Sequence, residues 1–334
     1  MDNITILAIE TSCDETSAAV IRNGELLSNI VSSQIDIHTL YGGVVPEIAS
    51  RNHLLSISRV TDKAMETSGV TFNELNAVGV TYGPGLVGAL LVGVSFAKAL
   101  AYSLGVKLIG VNHMRGHISA AFLAGAKPPF ICLVVSGGHT MIVKVKDYNT
   151  FELLGQTKDD AAGEAFDKVA RVVGLGYPGG PKLDKLAEEG DDEYLSLPRA
   201  MLKEDNYDFS FSGIKSAVLN HINSAKMKGD TLDRAGVCAS FRKCVCDILV
   251  QKTLRAAASH DLKNIAVCGG VACNMLLRRY LKEQCDLLGY KLTIPDNFLC
   301  SDNAGMIACS AHYQYLKGDC SGLDLNAAPS LSLN

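Results

Sequence analysis

His113 and His117 stand four residues apart in the stretch Val111-Asn112-His113-Met114-Arg115-Gly116-His117. Side chains at that spacing share one face of an α-helix, so both imidazoles could grip a single metal ion with almost no rearrangement. Residues 114–123 contain no proline and one glycine, and the local reading is a helix. The spacing is that of the zinc-protease motif His-Glu-x-x-His, but Met114 stands where the glutamate would be. Without a carboxylate there, nothing adjacent activates a metal-bound water for peptide hydrolysis. Spacing alone leaves two readings open, a metal site or a core histidine beside a surface one.

Whatever holds such a pair must come from the surrounding elements. A strand is expected at Ile4 to Glu10, then a polar turn at 11–16, then a strand at Ser17 to Arg22. The same arrangement returns at Phe130 to Val145, around Ser136-Gly137-Gly138-His139-Thr140. Two apolar hairpins of similar shape, about 125 residues apart, suggest a structural duplication. Between them the pattern predicts a helix at 48–68, a strand at Ala77 to Thr81, a helix at 87–104 and a strand at Lys107 to Val111. Strands alternating with helices point to a layered α/β fold. A helix from Ala161 to Val173 is expected, capped by Asp159 or Asp160. The prolines and glycines of 174–181 read as a loop. Helices at 235–259 and 275–288 flank a strand at Ile265 to Cys268 and a turn at 269–274. A last helix runs from near Asp302 to about 317, and the tail from Gly318 reads as a loosely packed extension.

The chain has 334 residues, 48% of them hydrophobic and 20% charged, with a formal charge of −4. That balance is globular, and it argues against a protein that grips nucleic acid unaided through a strong basic field. Eleven cysteines are an odd number with no Cys-x-x-Cys pair, and the start Met1-Asp2-Asn3-Ile4 carries no basic signal-peptide region. They read as reduced thiols of a cytosolic protein. The apolar stretch Leu86 to Val106 is broken by Lys98 and studded with Gly88, Gly93 and Ser95. It suits a buried helix better than a membrane span.

Three turns rich in glycine or hydroxyls follow directly on apolar strands, at 11–16, 136–140 and 269–274. Each alone is an ordinary tight turn; three together, two on matching hairpins, point to a nucleotide held by freed backbone N–H groups. No Gly-x-x-x-x-Gly-Lys-Ser phosphate loop is present, which counts against a P-loop ATPase. Asp167 falls on the polar face of the 161–173 helix with Asp160, Glu164 and Arg171, and periodicity alone makes it a solvated charge.

These pieces occur together with others in a fixed order. Ile9-Glu10-Thr11-Ser12-Cys13-Asp14-Glu15-Thr16, His113-Met114-Arg115-Gly116-His117 and Val135-Ser136-Gly137-Gly138-His139-Thr140 come first. Gly163-Glu164-Ala165-Phe166-Asp167-Lys168, Tyr177-Pro178-Gly179-Gly180-Pro181 and Phe209-Ser210-Phe211-Ser212-Gly213-Ile214-Lys215 follow. Gly269-Gly270-Val271-Ala272-Cys273-Asn274 and Ser301-Asp302-Asn303-Ala304-Gly305 close the set. From Ile4 to about Tyr313 the chain resembles the bacterial TsaD family of tRNA adenosine threonylcarbamoyltransferases, formerly called sialoglycoprotein endopeptidases.

The resemblance implies the actin-like ATPase fold shared with Hsp70 and sugar kinases (ASKHA), an α/β fold with two related lobes around a nucleotide cleft. The lobes would be 1–129 plus 302–325 and 130–301, with a tail at 326–334. It also implies Asp302 as the third metal ligand beside His113 and His117. Two histidines and a carboxylate favour Fe(II), with zinc as the alternative. Carried over position by position, the adenylated substrate would touch Val134, Val135, Ser136, Gly137, Gly138, Asp167, Gly180, Asp184 and Asn274. The implied reaction moves a threonylcarbamoyl group from threonylcarbamoyl-AMP to the N6 amine of adenosine 37 in tRNAs that read codons beginning with adenine, releasing AMP. No general base is legible, since His139 and Lys168 each read as structural.

Arg278, Arg279 and Lys282 are one small basic cluster that also reads as a solvated helix face, too little for an RNA site. Partners are therefore expected. The resemblance names a homologous non-metal-binding TsaB-like subunit and a small TsaE-like P-loop ATPase, in the cytoplasm and with no membrane role. The helix at 48–68 is a candidate docking surface, its default reading a core face. Competing readings are a kinase-like or chaperone-like ATPase of the same fold, a metalloprotease, and a degenerate scaffold. The missing glutamate disfavours the protease, a histidine pair is foreign to Mg²⁺-ATP sites, and a scaffold would have lost the three ligands.

Overall fold

Each of the two anticipated hairpins seeds a five-stranded sheet in the computed structural model, which describes residues 3–202 and 204–333. The chain divides into two units, Met1–Pro128 with Lys146–Phe151 and Phe298–Asn334, and Pro129–Val145 with Glu152–Asn297.

In the first unit β1 (Thr5–Glu10), β2 (Glu15–Arg22) and β3 (Glu25–Ser33) form an antiparallel meander. The chain continues through α1 (Ile35–Thr39), α2 (Pro46–Ser68), β4 (Ala77–Gly83), α3 (Val87–Leu104), β5 (Lys107–Asn112) and α4 (His113–Leu123). β4 joins β1 in parallel and β5 joins β4 in parallel, giving the order β3-β2-β1-β4-β5. Leu7, Ile9, Val20, Val78 and Val80 from the sheet meet Ile57, Val60, Ala64, Val94 and Ala97 from α2 and α3 in one buried cluster. By length and composition α3 could cross a membrane. Here Ala89, Leu90, Gly93, Val94, Ala97 and Ala101 are buried, and the helix packs on β4 and α2.

The second unit repeats that plan. β6 (Phe130–Val135) pairs antiparallel with β7 (Thr140–Asp147), and β8 (Thr150–Gln156) follows. Then come α5 (Ala162–Val173), α6 (Gly179–Ala187), α7 (Ser212–Lys228), α8 (Arg234–Ser259), β9 (Asn264–Cys268), α9 (Met275–Leu288) and β10 (Lys291–Thr293). β9 runs parallel to β6 and β10 parallel to β9, so the order β8-β7-β6-β9-β10 is that of the first sheet element for element. The chain returns to the first unit through α10 (Asn297–Cys300) and α11 (Ala304–Lys317).

Three expectations are corrected. Neither Asp159 nor Asp160 caps α5, whose N-cap is Ala161 with no side-chain bond. Asp159 instead accepts from Ser210 Oγ, Ser212 Oγ and the Phe211 and Ser212 N–H groups, while Asp160 takes Lys168 and Lys215. Residues 179–181 are helical, because a proline in the first turn loses no hydrogen bond it would otherwise make. The tail is not loose: Ser321 N donates to Leu108 O, Ala328 N to Tyr82 O and Gly85 N to Pro329 O. Asn334 itself lies outside the described residues.

Candidate metal centre and ligand pocket

His113 opens α4, directly after β5. Asn112 caps the helix, its Oδ1 accepting from Met114 N at 2.8 Å and Arg115 N at 3.4 Å. A side-chain oxygen in this place satisfies N–H groups that a helix start leaves unpaired. Asp302 precedes Asn303, the cap of α11, whose Oδ1 accepts from Met306 N at 3.1 Å. α11 lies against α4, and Gly116 permits the approach, since a Cβ there would stand 2.6 Å from Ile307 Cδ1. Two capped helix starts, distant in sequence, therefore fix all three side chains.

Those side chains converge. Asp302 Oδ1 is 3.4 Å from His113 Nε2 and 3.3 Å from His117 Nε2, and the candidate ligand atoms all lie within 4.8 Å of one another. The two rings sit edge to face with centroids 4.7 Å apart. His117 is wholly buried, and among the described residues its ring nitrogens have no hydrogen-bond partner beyond the 3.3 Å approach of Asp302 to Nε2. Orphaned buried nitrogens are costly, and a cation seated among the three atoms would satisfy Nε2. The residues present therefore fit a metal ion. Two imidazoles and one carboxylate with remaining open positions are a donor set used for Fe(II) and also accepted by zinc.

Two carboxylates dominate the electrostatics of the metal-free site. Burial works against charge on His113, but Asp302 and Glu10 outweigh it and hold the imidazole well above its ordinary range. Burial would raise Asp302, but His113 and His117 keep it well below the usual carboxylate value. Burial pulls His117 down, towards the neutral form that binds metals. Glu10 and Asp302 thus favour positive charge beside them, which the His113 ring supplies without a metal and which a cation would supply in its place.

Sequence reasoning missed Glu10. It ends β1, is fully buried, and its Oε2 lies 3.0 Å from His113 Nδ1 and 2.5 Å from Thr81 Oγ1. The available signal was a single acid closing the apolar strand Ile6-Leu7-Ala8-Ile9.

The second unit carries a cavity of about 360 Å³, a size suited to a nucleotide-sized ligand. Of the nine nominated substrate residues, Gly137, Asp167, Gly180, Asp184 and Asn274 line it. Phe166, Tyr177, Pro181 and Val271 supply apolar wall. Val134 and Val135 do not; they are buried within β6, paired with Met141 and Thr140. Ser136 and Gly138 belong to the turn beyond that strand, where Ser136 N donates to His139 O at 2.8 Å. That N–H is thus committed to the turn.

Asp167 is more than a solvated charge. Its Oδ1 accepts from Gly179 N at 2.9 Å and Gly180 N at 3.0 Å, tying α5 to the start of α6. Asp184 accepts from Met275 N at 2.9 Å, and Asn274 Oδ1 caps α9 through Leu277 N at 2.9 Å. Arg242, also unforeseen, is buried and donates to Asp184 Oδ1 at 2.9 Å. Gly174-Leu175-Gly176-Tyr177-Pro178-Gly179 spells Gly-x-Gly-x-x-Gly, but it follows helix α5, whereas a dinucleotide fingerprint follows a strand. The basic cluster is largely spent internally: Arg278 donates to Ala272 O and Pro295 O, and Lys282 pairs with Asp286. Lys168 pairs with Asp160 and Glu164.

Residues 25–309 match the sequence profile of the family described as TsaD, tRNA N6-adenosine threonylcarbamoyltransferase. Curated relatives carry the same description. One from Clostridium botulinum (strain 657 / Type Ba4) is 57% identical, the match covering 99% of this chain and 98% of the relative. One from Clostridium perfringens (strain SM101 / Type A) is 56% identical over 100% and 99%. Among solved structures, full-length HypF in a phosphate- and nucleotide-bound form superposes with a TM-score of 0.63 at 17% identity, over 92% of this chain and 46% of HypF. The component A of the Acidaminococcus fermentans (R)-2-hydroxyglutaryl-CoA dehydratase gives 0.54 at 14%, over 95% and 99%. These likenesses show the fold, an actin-like ASKHA one.

Proposed function

The chain belongs to the TsaD family of tRNA N6-adenosine threonylcarbamoyltransferases, and from that premise we propose how its residues carry out the transfer. The N6 amine of adenosine 37 attacks the carbamoyl carbon of threonylcarbamoyl-AMP. A C–N bond forms, the C–O bond to phosphate breaks, AMP leaves with the electron pair, and the amine proton passes to solvent. The donor is a mixed anhydride and already activated. The protein must therefore contribute positioning and charge stabilisation more than a strong nucleophile.

The 360 Å³ cavity takes the adenylate. Phe166, Tyr177 and Val271 flank the base, while the carboxylates of Asp167 and Asp184 accept from ribose hydroxyls. Val134 and Val135 act at one remove, as the strand that presents the Ser136-Gly137-Gly138 turn. His113, His117 and Asp302 would hold a divalent ion, Fe(II) by preference with zinc as the alternative. Such an ion supplies Lewis-acid stabilisation of negative charge on an acyl oxygen.

The mildly acidic chain and its internally committed basic cluster favour an RNA surface completed by partners. A homologous non-metal-binding subunit and a small P-loop ATPase fill that role in this reading, with the chain working in the cytoplasm. Exposed Leu54 and Leu55 on α2 are candidates for docking.

One observation carries the metal-assisted reading: three ligand atoms from α4 and the start of α11 meet, and among the described residues the His117 nitrogens have no other use. The test is threonylcarbamoyl transfer to a tRNA transcript, partners present, after anaerobic purification and metal analysis. His113→Ala and His117→Ala are expected to lose bound metal and most transfer while keeping the wild-type circular dichroism. Full turnover by chelator-stripped protein would refute the metal's role.

A further inference from the structure

Glu10 is an expensive residue to keep where it is. A wholly buried carboxylate costs several kcal/mol unless it is paired and hydrogen-bonded, and the end of a β-strand does not by itself require one. Both of its oxygens are nevertheless engaged. Oε1 accepts from Ser12 N at 2.5 Å, and Oε2 accepts from Thr81 Oγ1 at 2.5 Å and faces His113 Nδ1 at 3.0 Å. Ser12 Oγ stands a further 3.2 Å from the same ring nitrogen. The opposite nitrogen of that ring, Nε2, is the one turned to Asp302.

An imidazole that donates a proton from Nδ1 carries its lone pair on Nε2, so the partner of one nitrogen decides which nitrogen can bind a metal. Among the described residues His117 has no such partner: its Nδ1 is unbonded. Of the two imidazoles, only that of His113 has its tautomer set by a carboxylate. Charge adds a second argument. Glu10 and Asp302 together bring two negative charges to the site, and a divalent cation balances both.

We infer that Glu10 is a positioning residue of the metal centre, which fixes His113 in the tautomer and orientation that offer Nε2 to a divalent cation. Thr81 and Ser12 hold the Glu10 carboxylate in place. Glu10 touches neither substrate nor metal and acts through His113. The inference rests on the reading of His113, His117 and Asp302 as a metal site.

The test uses the full chain, stripped of metal and titrated with Zn²⁺ against a chromophoric chelator, alongside the melting temperature of the metal-free protein. Glu10→Gln keeps the shape of the side chain and removes its charge. It is expected to weaken Zn²⁺ about 10–100-fold, the usual effect of losing such an outer partner, with the metal-free melting temperature little changed. Thr81→Val, which frees one side of the carboxylate, should weaken Zn²⁺ to a smaller degree, and His113→Ala should abolish tight binding. If Glu10→Gln binds Zn²⁺ as wild type does while His113→Ala does not, the inference falls and the metal site stands. A lowered melting temperature with unchanged Zn²⁺ affinity would make Glu10 merely structural and overturn the inference too. If Glu10→Gln fails to fold, wild-type Zn²⁺ affinity in Thr81→Val overturns it. A wild-type chain that takes up no Zn²⁺ or Fe²⁺ removes the underlying metal reading instead.

Discussion

Arg242 of α8 and Asp184 of α6 form a buried ion pair at the wall of the ligand cavity, with Nη1 2.9 Å from Oδ1 and side-chain exposures of 5% and 9%. The same guanidinium donates to the carbonyls of Asp184 and Ala187 and pairs with Glu188, while the other Asp184 oxygen receives Met275 N. One carboxylate thus ties α6 to the start of α9, where Asn274 also sits. Arg242→Met would strip Asp184 of its charge partner. Removing one member of a buried pair costs about 3–5 kcal/mol, so a fall in denaturant midpoint of that order is expected. Arg242→Lys keeps the charge without the fork and should lie between the two. Calorimetry with AMP should show weaker binding in both; unchanged stability in Arg242→Met would mean the pair contributes nothing.

Gly163 allows the first turn of α5 to lie against the Ser136–Gly137 turn. A Cβ there would be 2.6 Å from Ser136 O and 2.8 Å from Gly137 Cα, both backbone atoms that no rotamer change can move aside. Gly163→Ala should force the turn outward, costing about 1–3 kcal/mol as overpacking does. It should weaken AMP binding beyond what the stability loss explains. Full AMP affinity in a folded Gly163→Ala chain would remove that turn from the ligand site.

The duplicated plan was legible because both hairpins carry unbroken apolar runs, Ile6 to Ile9 and Ile131 to Val135, ahead of polar turns. β3, β8 and β10 escaped because they are half-exposed and short of buried side chains, so no periodicity marks them. The histidine pair was visible as a helical spacing; Asp302 was not, since its place beside them depends on α11 docking against α4. It entered through motif resemblance, not through any local pattern. Glu10 and Arg242 were hidden for the same reason. Glu10 is a lone acid closing an apolar strand and Arg242 stands beside Lys243 on a long helix, and only the folded chain shows which partner neutralises each. Asp167 was misjudged because helix periodicity reports the face of a residue and says nothing of the glycine N–H groups another segment brings to it.

Asp159 gives a prediction for acid. Partial burial would raise its carboxyl, but bonds from Ser210, Phe211 and Ser212 outweigh that and hold it below the ordinary 3.8. Asp160 is lowered likewise against burial by Lys168 and Lys215. A carboxylate depressed in the folded state contributes its stability above the unfolded value, and loses it as pH falls through the folded one. Wild type should therefore exceed Asp159→Ala in melting temperature at neutral pH. The gap should close as pH falls below about 4 and vanish once the folded carboxyl is protonated. A gap that persists undiminished to about pH 2 would assign the effect to packing instead.

The tail supplies the last prediction, through Asn112. That side chain caps α4 with its Oδ1 and donates from Nδ2 to Ser332 O at 2.7 Å, while Arg115 Nε on the same helix reaches Leu333 O at 3.2 Å. Upstream, Ala328 N donates to Tyr82 O at 2.7 Å and Pro329 O accepts from Gly85 N at 3.2 Å. The tail therefore bonds directly to the cap of the helix that begins with His113. Truncation after Ala327 removes all four bonds, each worth about 0.5–1.5 kcal/mol net, and leaves Asn112 held by the helix alone. Loss of the whole cap in Asn112→Ala should cost about 1 kcal/mol. Amide exchange over residues 112–118 should quicken in both variants, and Zn²⁺ affinity should drop in step, because a fraying first turn moves His113 away from Asp302. Exchange that quickens only at 82–85, with 112–118 and Zn²⁺ affinity untouched, would show that the tail secures the C-terminal end of β4 and leaves the metal helix to its own cap.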